Sequence, residues 1–426
     1  MAGNKAEQDN PAAAQGQVRR RRVFYIPGYD PIHPRRYREL YRKEGGRQAG
    51  ISGYDLQLSP KVGGGAYGWH VTARMDGTET ETDFDVLVWS DLVRDSMSNS
   101  IPATYLQLVR TAWIYIASGA LWRLMKLRKG PVIAALYPIG FLFLQAVLAI
   151  LLTWGIAHAL ALGAAAVWPG GPANVWAPAL YWAAGLSGGW TLLRWFRDRD
   201  GRFFAYYLMH DYAHTAQFGG AYPADLERRL GEFAVQVEQA LASDADEVLV
   251  VGHSSGAHLG VSVLADLIRS GRVSADGPAL GFVSLGQVVP MVSFLPRADR
   301  LRADLRFLSA RDELAWIDVT APGDGCSFAL CDPVTVSGVA PPGKKWPLVF
   351  SAAFTQTLSP ARWKELRWRF FRLHFQYLCA FDRPADYDYF RITTGPATLA
   401  ARYAGRPASR SRIERPVNKF TSVRAA

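Results

Sequence analysis

Cysteine is scarce: only Cys326, Cys331 and Cys379 occur in 426 residues. Three is an odd number with no metal-type pair spacing, which excludes a disulfide framework or zinc finger and suits a reducing cytosol. Charge is missing altogether from Gly130 to Leu193, where no Asp, Glu, Lys or Arg occurs. Uncharged apolar runs of this length are rare in water, and one bilayer crossing needs only about 20 residues. Also absent is an apolar core near the start, since Met1 to Gln17 is polar and Ala-rich and leads into Arg19-Arg20-Arg21-Arg22, so no secretory signal is expected there. The net charge of +11 comes without any nucleic-acid motif. Basic residues beside an apolar run are expected to meet anionic headgroups instead of nucleic acid.

Within the uncharged stretch, Pro169-Gly170-Gly171-Pro172 cannot continue a helix. A first span is therefore expected within Val132 to Trp168 and a second from about Asn174 to Phe196, with Pro138 and Gly140 marking a kink. Arg123, Lys126, Arg128 and Lys129 precede this hairpin, and Arg194, Arg197, Arg199 and Arg202 follow it. Both ends are thus expected on the cytoplasmic side of a cell inner membrane. With His158 as the only histidine or charged-type side chain between Gly130 and Leu193, the two spans offer no evident transport pathway. Ahead of the hairpin, Ile101 to Met125 is rich in aromatic and aliphatic residues and reads as an interfacial helix, a lid or a core helix.

The remaining segments alternate between strand and helix signals. Val23-Phe24-Tyr25-Ile26 reads as a buried strand, followed by a helix from Arg35 to Lys43 and strands at Tyr67 to Met75 and Phe84 to Ser90. Further on come a helix from Ala224 to Leu241, a strand from Glu247 to Val251, a helix from Ala257 to Arg269 and a strand from Gly281 to Leu285. A helix between Pro296 and Ser309 and a strand from Trp316 to Thr320 complete the alternation. This order predicts an α/β fold with a mainly parallel sheet and helices on both faces. The expected divisions are a disordered basic tail (1–22), two parts of one α/β domain (23–100 and 197–404), an interfacial or lid helix (101–130), a transmembrane hairpin (131–196) and a solvated basic tail (405–426).

Ser254 lies in Gly252-His253-Ser254-Ser255-Gly256, directly between the Val248-Leu249-Val250-Val251 run and the helix that begins near Ala257. Glycines two before and two after a serine let strand and helix pass closely, so that a strained turn presents the hydroxyl. This is the G-x-S-x-G nucleophile elbow, and on it the chain resembles the α/β-hydrolase superfamily of serine esterases and lipases. The resemblance covers Val23 to about Tyr389 apart from the insertion, and it implies the chain order nucleophile, acid, histidine.

Only His258 and His374 follow Ser254. His258 falls inside the helix leaving the elbow, so His374 in Leu373-His374-Phe375-Gln376-Tyr377 is the expected base. The acid lies among Asp312, Glu313, Asp318, Asp324 and Asp332. Asp324 is favoured because it sits just past a strand end in Ala321-Pro322-Gly323-Asp324-Gly325, where functional loops project from parallel sheets. The resemblance further implies an oxyanion hole from the amides of Ser255 and Tyr29, the latter in Ile26-Pro27-Gly28-Tyr29-Asp30, where Pro27 stands in place of the usual histidine.

Two other patterns carry less. Gly63-Gly64-Gly65-Ala66-Tyr67-Gly68 matches a dinucleotide fingerprint but precedes a strand instead of following one, and reads as a turn. His210-Asp211-Tyr212-Ala213-His214 echoes a zinc-protease motif without a third ligand nearby. The expectation is a membrane-anchored serine hydrolase acting on an acyl ester, with lipid as the favoured substrate and no metal or organic cofactor. An acyltransferase or thioesterase would use the same residues, and a degenerate scaffold acting as a membrane interaction protein is the alternative from another class.

Overall fold

A computed structural model describes residues 16–61, 65–97, 100–169 and 175–424. Residues 1–15 of the expected tail, Gly63 and Gly64 of the glycine pattern, and Gly170 to Pro172 of the expected hairpin turn lie outside them. The chain divides into two compact units: Met1–Arg94 with Ser118–Pro131 and Phe218–Ala426, and Asp95–Ala117 with Val132–Gln217.

The first unit is built on eight strands: β1 (Arg20–Ile26), β2 (Asp55–Pro60), β3 (Gly68–Met75), β4 (Thr78–Val86), β5 (Glu247–His253), β6 (Ala279–Leu285), β7 (Leu314–Thr320) and β8 (Leu348–Ser351). Their order across the sheet is β2-β3-β4-β1-β5-β6-β7-β8. Only β3 runs against its neighbours; every pairing from β4 through β1 to β8 is parallel. Strands β5 and β7 are buried along their whole length, as parallel strands covered on both faces must be.

The period of two assigns the faces. Val23, Tyr25, Leu249, Val251, Val283, Leu285 and Ile317 share a core with Tyr37 and Tyr41 of helix α1 (Arg35–Ser52). On the other face Phe282 meets Gly260 of the helix Gly256–Arg269, where any Cβ would lie 2.7 Å from the ring. The expected α/β architecture, mainly parallel with helices on both faces, is what the first unit has.

Local differences have local causes. Helix α1 runs nine residues past Lys43 to Ser52, ending at Gly53 in the left-handed conformation (φ 71) that a helix C-cap favours. Strands β3 and β4 form a hairpin around Asp76 (φ 53) and Gly77 (φ 76), the Asp-Gly pair that such turns require. β4 therefore begins at Thr78, well before Phe84, with Thr80, Thr82 and Phe84 facing inward between exposed glutamates. Arg20 to Arg22 belong to β1 and not to a disordered tail. Arg21 is buried because its guanidinium donates to Glu247 at 2.6 Å and to the carbonyls of Gly395 and Ala397 at 2.8 and 2.7 Å.

The basic C-terminal segment is likewise held in place, in contrast to the solvated tail expected. Ile413 bridges to Cys331, the Asn418 amide donates to the Val336 carbonyl at 3.2 Å, and Arg302 Nε donates to the Ser422 carbonyl at 2.8 Å.

The second unit is helical: α2 (Ile101–Ala117), most of α3 (Lys129–Val167), α4 (Ala177–Asp198) and α5 (Ala205–Ala216). It extends past Phe196 to Gln217. The single helix expected over Ile101 to Met125 is broken at Ser118-Gly119, where Gly119 has φ 72, and resumes as Ala120–Met125. On α2, Leu106, Val109, Trp113 and Ile116 form an exposed stripe at spacings of three and four.

Helices α3 and α4 are antiparallel and close. A Cβ on Gly185 would lie 2.3 Å from the Thr153 carbonyl oxygen and one on Gly189 would lie 2.8 Å from that of Ala149. Among the described residues only α3, 39 residues long, is long and apolar enough to cross a membrane. The expected second span is corrected accordingly. Glycines, tyrosine and tryptophans dilute α4, and Arg194, Arg197 and Asp198 fall inside it.

Candidate active site

The elbow motif folds as a strand-turn-helix corner. Strand β5 ends at His253, Ser254 takes φ 57, and helix α7 (Gly256–Arg269) starts two residues later; α6 (Ala224–Leu241) precedes β5. A positive φ on a non-glycine residue costs of order 1–3 kcal/mol and persists only where its surroundings enforce it. Here the two glycines do so. A Cβ on Gly252 would lie 2.6 Å from the Gly256 carbonyl oxygen, and one on Gly256 would lie 2.1 Å from that of Ile26. The Ser254 amide donates to the Leu285 carbonyl at 2.9 Å, fixing the corner to β6. Ser254 is partly exposed, whereas its neighbours on both sides are buried.

The loop after β1 lies against the serine. A Cβ on Gly28 would be 2.9 Å from Ser254 Cβ and 3.4 Å from its Oγ, so only glycine fits. Tyr29 is buried beside Trp89, whose indole nitrogen donates to the Pro27 carbonyl at 3.0 Å. Ser255 is the cap residue of α7, and the first amides of a helix have no partner within it. Ser255 thus adjoins Ser254 in the chain, and Tyr29 follows Gly28, the glycine packed against it.

His374 ends the short helix Phe370–His374 and is buried. Its Nδ1 lies 2.8 Å from Asp324 Oδ2. Asp324 follows β7 in a turn whose amide donates back to the Ala321 carbonyl at 2.9 Å. Burial alone would raise the Asp324 carboxyl, but the His374 charge and hydrogen bonds from His374, the Cys326 amide and Ser327 more than offset it and hold the group below its ordinary range. With Nδ1 donating to a carboxylate, Nε2 is the ring nitrogen left to accept a proton. His374 and Ser254 both abut the Leu285–Gly286 corner. His374 Cε1 is 3.0 Å from the Cβ position of Gly286, and the Leu285 carbonyl accepts from Ser254. Among the described residues no hydrogen bond joins Ser254 Oγ to His374.

The other acids are placed elsewhere. Asp312 pairs with Lys345 at the surface, Glu313 pairs with Arg311, and Asp332 caps the helix Pro333–Val336 and pairs with Lys344 at 2.6 Å. Asp318 is buried inside β7 and accepts from Ser284 Oγ at 2.6 Å. His258 Nδ1 faces the Tyr222 hydroxyl at 2.9 Å, and His210 Nδ1 faces Gln107 Oε1 at 2.8 Å.

Three contributors escape the sequence reading. His253, inside the motif itself, uses Nε2 to reach the His374 carbonyl at 3.0 Å, and their ring centroids are 4.8 Å apart. Burial, then the neighbouring His374 charge, lowers its pKa to about 3, so it stays neutral while it pins the His374 backbone. Tyr377 donates its hydroxyl to Asp324 Oδ2 at 3.0 Å and accepts from the Ala321 amide at 2.9 Å. It stands one helical turn past His374, the only sequence signal for its role. Cys326 is the third: its Sγ, an Asp324 oxygen and a His374 ring nitrogen all lie within 4.8 Å of one another. Three such donors are a metal-type set, yet Asp324 and His374 are already bonded to each other, and an ion would have to displace that proton.

Comparison with protein-family models, with curated proteins and with solved structures finds no match to the chain.

Proposed function

We propose that the chain is a membrane-attached serine hydrolase of the α/β-hydrolase type that cleaves an acyl ester, with lipid as the favoured substrate. The observation that carries this reading is the buried 2.8 Å contact between His374 and Asp324, beside a Ser254 held at positive φ between two obligatory glycines. In this scheme His374 Nε2 takes the Ser254 proton as Oγ attacks the ester carbonyl carbon, while Asp324 holds the imidazole and stabilises its charge. The amides of Tyr29 and Ser255 donate to the tetrahedral oxyanion. Collapse expels the alcohol, which takes the proton from His374, and leaves an acyl-serine. Water, deprotonated by His374, then releases the acid and restores the serine. The scheme calls on no metal or organic cofactor.

Attachment to a membrane is read from α3; because the sheet unit takes β1–β4 from before the helical insertion and β5–β8 from after it, both ends of the insertion stay on one face of the membrane, and the basic residues at 123–129 and 194–202 make that the cytoplasmic face. A fluorophosphonate probe tests the chemistry. The expected result is covalent labelling of the wild type that Ser254→Ala abolishes, together with loss of ester hydrolysis in His374→Ala. A second reading, an inactive scaffold for membrane interaction, is favoured by the missing Ser254–His374 hydrogen bond. It gains if the folded wild type stays unlabelled.

A further inference from the structure

The residues just ahead of His374 alternate arginine with aromatic side chains: Arg367-Trp368-Arg369-Phe370, then Arg372. Trp368 is 72% exposed and Phe370 48%, while the side chains of Arg369 and Arg372 are 50% and 67% exposed. Glu365 lies 3.2 Å from Arg369 and 4.0 Å from Arg372, so one carboxylate faces several cations and the surface keeps a positive excess. Large aromatics this exposed are seldom left to water in soluble proteins. Indole and phenyl rings settle at the headgroup level of a bilayer, and guanidinium groups bind the lipid phosphates there. The patch also adjoins the site, because Phe370 Cδ1 is 3.4 Å from the Cβ position of Gly325, next to Asp324.

We infer that this segment docks the hydrolase unit on an anionic lipid surface, presenting the His374 region to esters that reside in the bilayer. The charge of the patch chooses the occupant: an apolar protein groove would need the aromatics without the arginines, whereas anionic headgroups match both. The inference rests on the serine-hydrolase reading only for its substrate, so the test has two arms.

In the first arm the full chain is reconstituted in nanodiscs of phosphatidylcholine, or of phosphatidylcholine mixed equally with phosphatidylglycerol. The emission of Trp368 is taken as the difference between wild type and Trp368→Phe. It is expected to shift to the blue and to be quenched by brominated lipid in the anionic discs, and to recover in high salt. Emission that is unquenched, or quenched equally in neutral discs, overturns the proposal. In the second arm, wild type is expected to hydrolyse a disc-resident ester about a hundredfold faster in anionic than in neutral discs, with one favourable contact from each of the three arginines. The Arg367→Gln/Arg369→Gln/Arg372→Gln variant loses that gain while cleaving a short-chain soluble ester at the wild-type rate. A variant that keeps the anionic gain refutes the docking surface. If neither protein turns over any ester, the hydrolase reading fails and the fluorescence arm still decides the docking.

Discussion

The two compact units use apolar side chains in opposite directions. In the sheet unit Trp69, Phe84, Phe282 and Trp316 are almost wholly buried, and buried Arg21 is paired with Glu247. In the helical unit Leu106, Trp113, Phe143, Ile150, Leu162 and Leu186 are more than half exposed. Water drives the first arrangement, since removing apolar area from it is the main favourable term in folding. The second fits the proposed attachment to a membrane, and there α3 and α4 meet through close backbone contact at Gly185 and Gly189. The two units are thus told apart by burial and not by composition.

The sharpest way to break this comparison is to truncate the same residue type in each unit. Trp69 lies 2% exposed and stacks on Phe84 with ring centroids 4.9 Å apart. Trp69→Ala is expected to destabilise the sheet unit by roughly 3–5 kcal/mol, through lost burial and the cavity left behind. Chemical unfolding followed by circular dichroism measures it, and a change below about 1 kcal/mol would mean that this face of the sheet is not a packed core.

A second test concerns a carboxyl buried inside β7. Burial pushes the Asp318 carboxyl up to about 8, against the hydrogen bond from Ser284 and with help from the Asp332 charge. Below the unfolded value near 3.8 both states hold the proton and the contribution is fully present. As pH rises the unfolded chain ionises first, so stability is lost progressively until the folded group itself titrates near 8. Asp318→Asn removes this slope. Relative to the wild type it is expected to gain roughly 2–4 kcal/mol between about pH 4 and pH 7. Melting temperatures at the two pH values check it, and parallel curves for the two proteins would contradict a neutral buried acid.

Smaller again is the effect expected at Tyr377, whose hydroxyl donates to Asp324 Oδ2 while the Cys326 amide donates to Oδ1. Tyr377→Phe keeps the ring among Phe354 and His253 and removes one hydrogen bond to a charged group. Ester hydrolysis is expected to fall about tenfold, near 1.4 kcal/mol in the transition state, with fluorophosphonate labelling slowed in step. Unchanged rates for both would remove Tyr377 from the positioning of the acid.

What the sequence disclosed about the site follows from which constraints are local. The glycines around Ser254 are legible because the backbone clashes they avoid involve neighbours four or five residues away, for Gly252, or the end of β1, for Gly256. Asp324 is legible because loops at strand ends project functional groups. The arginines of β1 are not, since Arg21 is compensated by Glu247, which is remote in sequence and adjacent only once β1 and β5 pair. Nor is the start of β4, whose inward positions are held by Thr80 and Thr82 in place of apolar residues, or β2, where only Leu56 and Leu58 turn toward the core. The C-terminal segment is fixed by backbone hydrogen bonds that hydropathy does not register. His253 and Tyr377 act on His374 and Asp324 through contacts that exist only after the sheet has formed.

The smallest expected effect closes the comparison from the helical side. Trp113 is 70% exposed on the outward stripe of α2, so truncating it leaves no cavity and breaks no packed contact of the kind Trp69 makes. Trp113→Ala is expected to change the stability of the detergent-solubilised chain by no more than about 0.5 kcal/mol, the range for surface substitutions. In the absence of detergent the variant is expected to aggregate less than the wild type, because a large exposed apolar group has been removed from contact with water. Light scattering after detergent removal measures this. A destabilisation as large as that of Trp69→Ala would show that the stripe packs against protein, and the contrast in burial between the two units would then fail at α2.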